Sequence, residues 1–426
     1  MSKNHLVTSV VSELSQTKVP ERLLVIFWLL GPFVFLIERS PADIWLSILS
    51  LSFLILSVIR KDWHWTKPFW VRSIGAFFSA LLLTSILSSE PATAIEESLL
   101  WVRFPLFAIA SAFWLSRYRA CAQLLIYITT AGLCMLMAIL FAEIIFHYDV
   151  WSVAGPSGGR LTWPYGDTIP GNYLAKFGAL ATVWLAVTLS SSNKVGILLS
   201  LALAVLLIIF VAATGERINT IITISILALS LVWLNFKRVR FLLSAGVVGL
   251  GVIVFAITRS DYLFYKFSSN LVNGAFNLSS SGYHHLWQTG LAIFETSPLT
   301  GIGVGMFRHL CHVIALPTDI IVRCDNHPHQ YYVQVLAETG LIGFGAFVIM
   351  VVSIIYALWY RGRRSTEQLK KVLFVVPLAL FFPLQSTADL FGQWVNLMMW
   401  FAIGHAFALS YSDLSEGSEL ADGNLT

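Results

Sequence analysis

Apolar stretches of about bilayer length recur from residue 22 to residue 411, separated by short polar connections. A helix needs about 20 predominantly apolar residues to cross the hydrocarbon core, so this pattern reads as membrane spans rather than buried core helices. Twelve segments fit, at about 22–38, 43–59, 70–88, 97–116, 120–145, 171–189, 195–213, 217–235, 239–258, 331–360, 369–387 and 389–411. The second, eleventh and twelfth are short or poorly separated from their neighbours. The pattern predicts an all-α polytopic membrane protein with about 12 transmembrane helices and one large outer loop carrying short helices.

The basic residues orient this bundle. Lys3, Lys18, Arg22, Arg60, Lys61, Lys67, Arg72, Arg117, Arg119, Lys194, Lys237, Arg238, Arg240, Arg361, Arg363, Arg364, Lys370 and Lys371 fall on one side, 18 of the 27 Lys and Arg. The remaining nine fall on the other. Cytoplasmic loops carry the excess of Lys and Arg, so both termini are expected in the cytoplasm. Residues 1–21 then form a polar cytoplasmic segment with no apolar core or A-x-A site, hence no cleavable signal peptide. Residues 22–258 hold the first nine spans with an outer loop at 146–170, and 259–330 form the large periplasmic loop. Residues 331–411 hold the last three spans, and 412–426 make an acidic cytoplasmic tail expected to be disordered.

Composition narrows the classes. At 57% hydrophobic and 12% charged, with a mean hydropathy of +0.76, the chain lacks the charge to cover a water-facing surface of its length. The net charge of +4 (27 basic minus 23 acidic) argues against a nucleic-acid partner, leaving membrane lipids as the surroundings. An aromatic content of 14% excludes global disorder, and four cysteines in 426 residues exclude a disulfide scaffold.

Seven of the ten histidines lie on the outer side: His147, His284, His285, His309, His312, His327 and His329. In N-H-P-H-Q, Pro328 keeps His327 out of helical geometry, and Gln330 onward should run into the tenth span. His329 is thereby placed at a helix N-terminus at the membrane surface, beside backbone N–H groups that suit an anion. A simple helix-capping histidine is the alternative. Arg217, in the tight outer turn ATGERINT, suits a phosphate as a guanidinium fork, or else snorkels or pairs with Glu216. Arg160, among the glycines of GPSGGRLTWPYGD, is either a ligand contact or a plain loop arginine. Lys176 and Arg103 lie just inside spans, where ion pairing within the bundle is expected for both.

No H-E-x-x-H, C-x-x-C, G-x-S-x-G or Walker-type motif occurs, so no metal or other cofactor is expected. Cys311 and Cys324 share the oxidising outer loop and are expected to form a disulfide. Cys121 and Cys134, about 20 Å apart along one helix, should remain free and buried.

The run SGYHHLWQTGLAIFETSPLTGIGVGMFRHLC, followed by HPHQYYVQVLAETGLIG, resembles the O-antigen ligase/polymerase superfamily of bacterial envelope glycosyltransferases. Its ligase pattern H-[NSQ]-x9-G-x-x-[GTY] is matched by His329, Gln330, Gly340 and Gly343. TGER with Arg217 and GGRLTWPYGD with Arg160 resemble further outer-loop motifs, so the resemblance covers about 155–345. One departure is Tyr283, which stands four residues before Trp287 where the family often has arginine; Arg160 and Arg308 are the substitutes.

The resemblance implies a GT-C-like fold in the bacterial inner membrane with a periplasmic active site. It implies transfer of a glycan from undecaprenyl diphosphate to a sugar hydroxyl, on lipid A-core for a ligase or on a growing glycan for a polymerase. In that reading His329 is the general base and Arg217 stabilises the diphosphate, while Arg160, Arg308, Tyr283 and Gln330 contact substrate. A transporter of lipid-linked glycans is the competing class, disfavoured by mostly uninterrupted spans with little midplane charge.

Overall fold

The structure, a computed structural model, describes residues 3–146, 161–162, 164, 170–191, 193–234, 251, 282–316, 320–383 and 389–412. Every regular element among them is helical: α1 (Lys3–Gln16), α2 (Val19–Leu29), α3 (Gly31–Ile37), α4 (Arg39–Arg60), α5 (Phe69–Ile86), α6 (Pro91–Trp101), α7 (Arg103–Phe113) and α8 (Arg119–Phe146). There follow α9 (Pro170–Asn172), running into a π-helical turn at Tyr173–Phe177, α10 (Ala179–Ser191), α11 (Lys194–Ala213) and α12 (Arg217–Leu234). The remainder are α13 (Gly282–Thr296), α14 (Phe307–Leu310), α15 (Tyr331–Arg364), α16 (Gln368–Val372), α17 (Val375–Leu380) and α18 (Gln393–Tyr411).

Among the described residues, seven spans are long and apolar enough to cross a membrane: Arg39–Arg60, Phe69–Ile86, Pro91–Arg117, Arg119–Phe146, Lys194–Ala213, Arg217–Leu234 and Tyr331–Arg364. Two bent pairs, Val19–Leu29 with Gly31–Ile37 (54°) and Pro170–Phe177 with Ala179–Ser190 (52°), raise the number to nine if each is one span. The chain is a multi-pass membrane protein. Gly31 and Pro32 account for the first bend, since proline cannot continue the hydrogen-bond ladder of the helix before it.

The expected twelve spans are not all recovered. The ninth (239–258) lies outside the described residues. The eleventh is broken into α16 and α17, because the ring of Pro377 collides with the carbonyl four residues back, at Leu373. The twelfth is a helix, α18, but is too polar to count as a lipid-facing span. From Trp394 to Tyr411 every residue of it is buried, the signature of a helix enclosed by protein on all sides.

That enclosed helix organises the core. It packs most extensively on α7, while α15 packs on α5. Aromatic rings fill the centre: Phe177 lies 4.4 Å from Phe401 and 4.5 Å from Tyr173, and Trp70 stacks 4.1 Å from Phe407. Pairs at these separations contribute about 0.5–1.5 kcal/mol each beyond the area they bury. The buried His405 is held by the carbonyl oxygen of Ala122 at 2.9 Å.

Polar contacts gather at the two ends of the bundle. At one end Arg60 meets Glu21, Arg117 meets Asp62, and Arg119 and Lys370 meet Glu367. At the other, Arg103 donates to both oxygens of Asp43, at 2.7 and 3.0 Å, forming the expected ion pair, and Gln393 donates to the same carboxylate. Lys176 departs from expectation: its side chain is wholly buried and Nζ has no hydrogen-bond partner.

Candidate active site

α15 begins with a side-chain cap. Gln330 Oε1 accepts from the backbone N–H of Val333 at 2.6 Å, and its Nε2 donates to the Pro383 carbonyl at 2.6 Å. Gln330 therefore satisfies one of the free N–H groups that every helix start leaves, while its amide and the Tyr332 hydroxyl, 2.6 Å from the Phe381 carbonyl, tie α15 to the segment after α17. His329 stands one residue outside the helix, so the cap is Gln330 and not the histidine. Its backbone is left-handed (φ 55°), a conformation that costs about 1–3 kcal/mol in a non-glycine residue.

This backbone turns the His329 ring into a polar cluster. Nε2 lies 3.3 Å from Asp325 Oδ2, a long contact. Since a carboxylate only accepts, Nε2 carries the ring proton and Nδ1, buried and without a partner, is the basic atom. Asp325 is held below the usual carboxylate value: burial acts against this, but the Asn326 N–H and His329 outweigh it. The Tyr283 ring meets His329 edge-on at 5.4 Å, and the His327 ring lies 4.1 Å away. Burial above all pushes the His327 imidazole down to about 4; Asp389 and Asp325 oppose the shift, while His329 and Arg308 reinforce it. His327 is neutral at neutral pH.

Arg308 reaches the same cluster through a glycine loop. Gly340, with φ 59° and ψ −163°, interrupts α15. The interruption lets Leu341 N–H donate to Pro298 O (2.8 Å) and Ile342 N–H to Leu299 O (3.2 Å), while Ile302 and Gly303 donate to the carbonyls of Ala337 and Glu338. Within the loop the buried Glu338 carboxylate accepts from the N–H groups of Gly305 (2.9 Å) and Phe307 (3.2 Å). This anchors the start of α14, which carries Arg308. The Arg308 guanidinium donates to Asp389 at 3.2 Å and lies 3.8 Å from Glu97. Asp389 also accepts from Gln334 Nε2 (2.7 Å) and from the Phe391 N–H (2.9 Å).

Arg217 opens α12, half-buried, after a turn through Gly215 (φ 74°). In that turn Glu216 is hydrogen-bonded to Asn219, which also donates to Asn172 at 3.1 Å. Lys176 connects this turn to α15: Glu216 acts on its charge, and Nζ lies 5.9 Å from the centre of the Tyr331 ring, two residues beyond His329. Arg160 lies outside the described residues.

The disulfide between Cys311 and Cys324 forms, with Cα atoms 5.8 Å apart, and ties the end of α14 to the strand of chain leading into Asp325. Cys121 and Cys134 are free as expected, although Cys134 is only partly buried. Among the described residues no three His, Cys, Asp or Glu side chains converge as a metal ion would require.

Sequence reasoning singled out His329, Tyr283 and Arg308, which the fold brings into one neighbourhood. It missed Asp325, Glu338 and Asp389. A signal existed for the last two: each is the sole charged residue of a long apolar stretch, 331–360 and 372–411 respectively, and isolated carboxylates in such stretches are costly unless they have work to do.

No curated protein matches the chain. The family model described as O-antigen ligase matches residues 202–348, a segment that starts later than the 155–345 of the sequence resemblance and so leaves Arg160 and Lys176 outside. It contains Arg217, Tyr283, Arg308, both cysteines of the disulfide, and α15 from its capped start past Gly340 and Gly343. Over this segment, about a third of the chain, the protein is similar to the O-antigen ligase family.

Proposed function

We propose that this protein is an O-antigen ligase-like glycosyltransferase. It moves a glycan from undecaprenyl diphosphate to a sugar hydroxyl of lipid A-core on the periplasmic face of the inner membrane. The observation that carries this reading is the His329–Asp325 pair at the capped start of α15, inside the segment matching the O-antigen ligase family.

In the reaction, the acceptor oxygen forms a bond to the anomeric carbon as the bond from that carbon to the diphosphate oxygen breaks. The electron pair of the broken bond leaves on the diphosphate, and the acceptor proton passes to His329. Asp325 holds the ring and stabilises the imidazolium that results. Arg217 receives the charge that develops on the diphosphate, with Arg160 and Arg308 in the same site. Tyr283 lines the acceptor side of the His329 ring. Gln330, through its cap, holds His329 against substrate. Bond energy stored in the donor diphosphate drives the transfer, so neither nucleotide nor metal takes part.

A polymerase that joins lipid-linked repeat units would use the same chemistry with a growing glycan as acceptor. The ligase reading is favoured by the complete pattern from His329 and Gln330 to Gly340 and Gly343, two glycines the fold requires: a Cβ at Gly343 would fall 2.0 Å from Thr339 Oγ1. Deleting the gene and examining the lipopolysaccharide tests the choice. Loss of a ligase leaves core without any O-antigen and lets lipid-linked polymer accumulate; core bearing a single repeat unit would show a polymerase instead.

A further inference from the structure

Lys176 is the one described lysine that is wholly buried and whose Nζ makes no hydrogen bond. An ammonium has three donors and no acceptor, so such burial leaves all three unsatisfied. Glu216 acts on its charge without bonding it. A methionine would fill the same space with no donor left unmade, so packing does not explain a lysine here.

The local backbone is built to bring that ammonium inward. Lys176 lies on the π-helical turn Tyr173–Phe177, and single π turns within helices are frequent at functional sites. One turn earlier, Gly171 lets α9 approach the Arg217 turn closely: a Cβ there would lie 2.5 Å from Thr214 Oγ1 and 2.8 Å from Glu216 Oε2. Asn172 is hydrogen-bonded to Asn219 on α12. On its other side Lys176 faces the Tyr331 ring at the start of α15. An unpartnered ammonium therefore stands between the turn carrying Arg217 and the helix start carrying His329.

We propose that Lys176 is a cationic contact for the diphosphate of the lipid-linked donor, completing a site that Arg217 opens. This inference rests on the glycosyl-transfer reading above. The chemistry is complementary: phosphate oxygens supply the acceptors that the ammonium lacks, and a lysine serves as a point charge that tolerates movement of the phosphate as the bond breaks. Lys176, Glu216 and Arg217 together leave one net positive charge to attract the anion. With diphosphate bound, Lys176 stabilises the leaving group, and it takes no proton from the acceptor.

The test uses the purified full-length protein with farnesyl diphosphate and farnesyl monophosphate as probes. Their affinities are measured by thermal shift beside glycan transfer from the lipid-linked donor. Wild type should bind the diphosphate at least tenfold more tightly than the monophosphate. Lys176→Met should lose that preference, raise the KM for donor at least tenfold, and melt at the wild-type temperature or above. Lys176→Arg should recover part of the binding. Wild-type transfer accompanied by unchanged diphosphate binding in Lys176→Met overturns the Lys176 assignment alone. A Lys176→Met protein that fails to fold also overturns it, since the ammonium would then be structural. Wild type that neither transfers glycan nor binds farnesyl diphosphate overturns the glycosyl-transfer reading together with this inference.

Discussion

Replacing Gly340 with alanine tests how the interrupted helix α15 builds the site. The residue has φ 59° and ψ −163°, a region essentially restricted to glycine, where another residue costs about 1–3 kcal/mol. A Cβ there would lie 2.4 Å from the carbonyl carbon and oxygen of Leu299 and 2.5 Å from the Thr300 nitrogen. These are backbone atoms, which cannot swing aside as a side chain tip would. Relief requires parting the two segments, which breaks the bonds from Leu341 to Pro298 and from Ile342 to Leu299. Two such bonds contribute about 1–3 kcal/mol net, so the total destabilisation should be about 2–6 kcal/mol. The displaced loop also carries Arg308, and a misplacement of about 1 Å near reacting groups can lower a rate about 10²-fold. Gly345→Ala is the control, because on the same helix a Cβ there meets nothing within 4 Å; it should be neutral or stabilising by up to about 1 kcal/mol. Thermal unfolding in detergent and glycan transfer are measured for both variants. If Gly340→Ala is as stable and active as Gly345→Ala, the account of the glycine loop is wrong.

Three further expectations follow from particular contacts. Closing the loop of about 14 residues between Cys311 and Cys324 contributes about 3 kcal/mol by the chain-entropy model; peptide mapping of non-reduced protein from native membranes should find the bridge, and two freely alkylated thiols would refute it. His327, with its imidazole lowered to about 4 from 6.5, is protonated less readily folded than unfolded, so stability present above pH 6.5 is lost as pH falls from 6.5 toward 4, by about 3 kcal/mol at most. His327→Phe should flatten that part of the melting-temperature profile, and an unchanged profile would contradict the assignment; the Asp325 contribution falls at lower pH. The topology read from the basic residues puts position 238 in the cytoplasm, so a cysteine there should resist a membrane-impermeant probe applied from the periplasm, and its labelling would reverse the orientation.

Helix positions were largely legible because hydrophobic length is a strong local signal, and spans such as Lys194–Ala213 emerge within a residue or two of the pattern. Hydropathy did not distinguish burial by protein from burial by lipid. α18 looks like a span but is enclosed by other helices, and a hydropathy window cannot tell the two surroundings apart. It also failed at Pro377, whose effect is local while the window averages over a turn or more. In the site, the place of His329 just before the helix start was legible from Pro328, but the cap at Gln330 was not, since the sequence offered the histidine as the capping residue. Asp325 lies four residues from His329 in an irregular segment, where spacing predicts no contact. Asp389 meets Arg308 across 81 residues, and the Glu338 carboxylate is satisfied by backbone N–H groups 31 and 33 residues away. Such pairings depend on tertiary approach and leave no mark in spacing.

The central claim, that His329 accepts the acceptor proton beside an arginine that stabilises the diphosphate, is tested by transfer from purified lipid-linked glycan to lipid A-core with EDTA present. Loss of a general base lowers rates by about 10²–10⁴. His329→Ala should therefore lose ligation to at least that extent at wild-type membrane levels, and Arg217→Lys should also fail, since an ammonium cannot form the bidentate fork. Near-normal turnover by His329→Ala at similar membrane levels would contradict the mechanism.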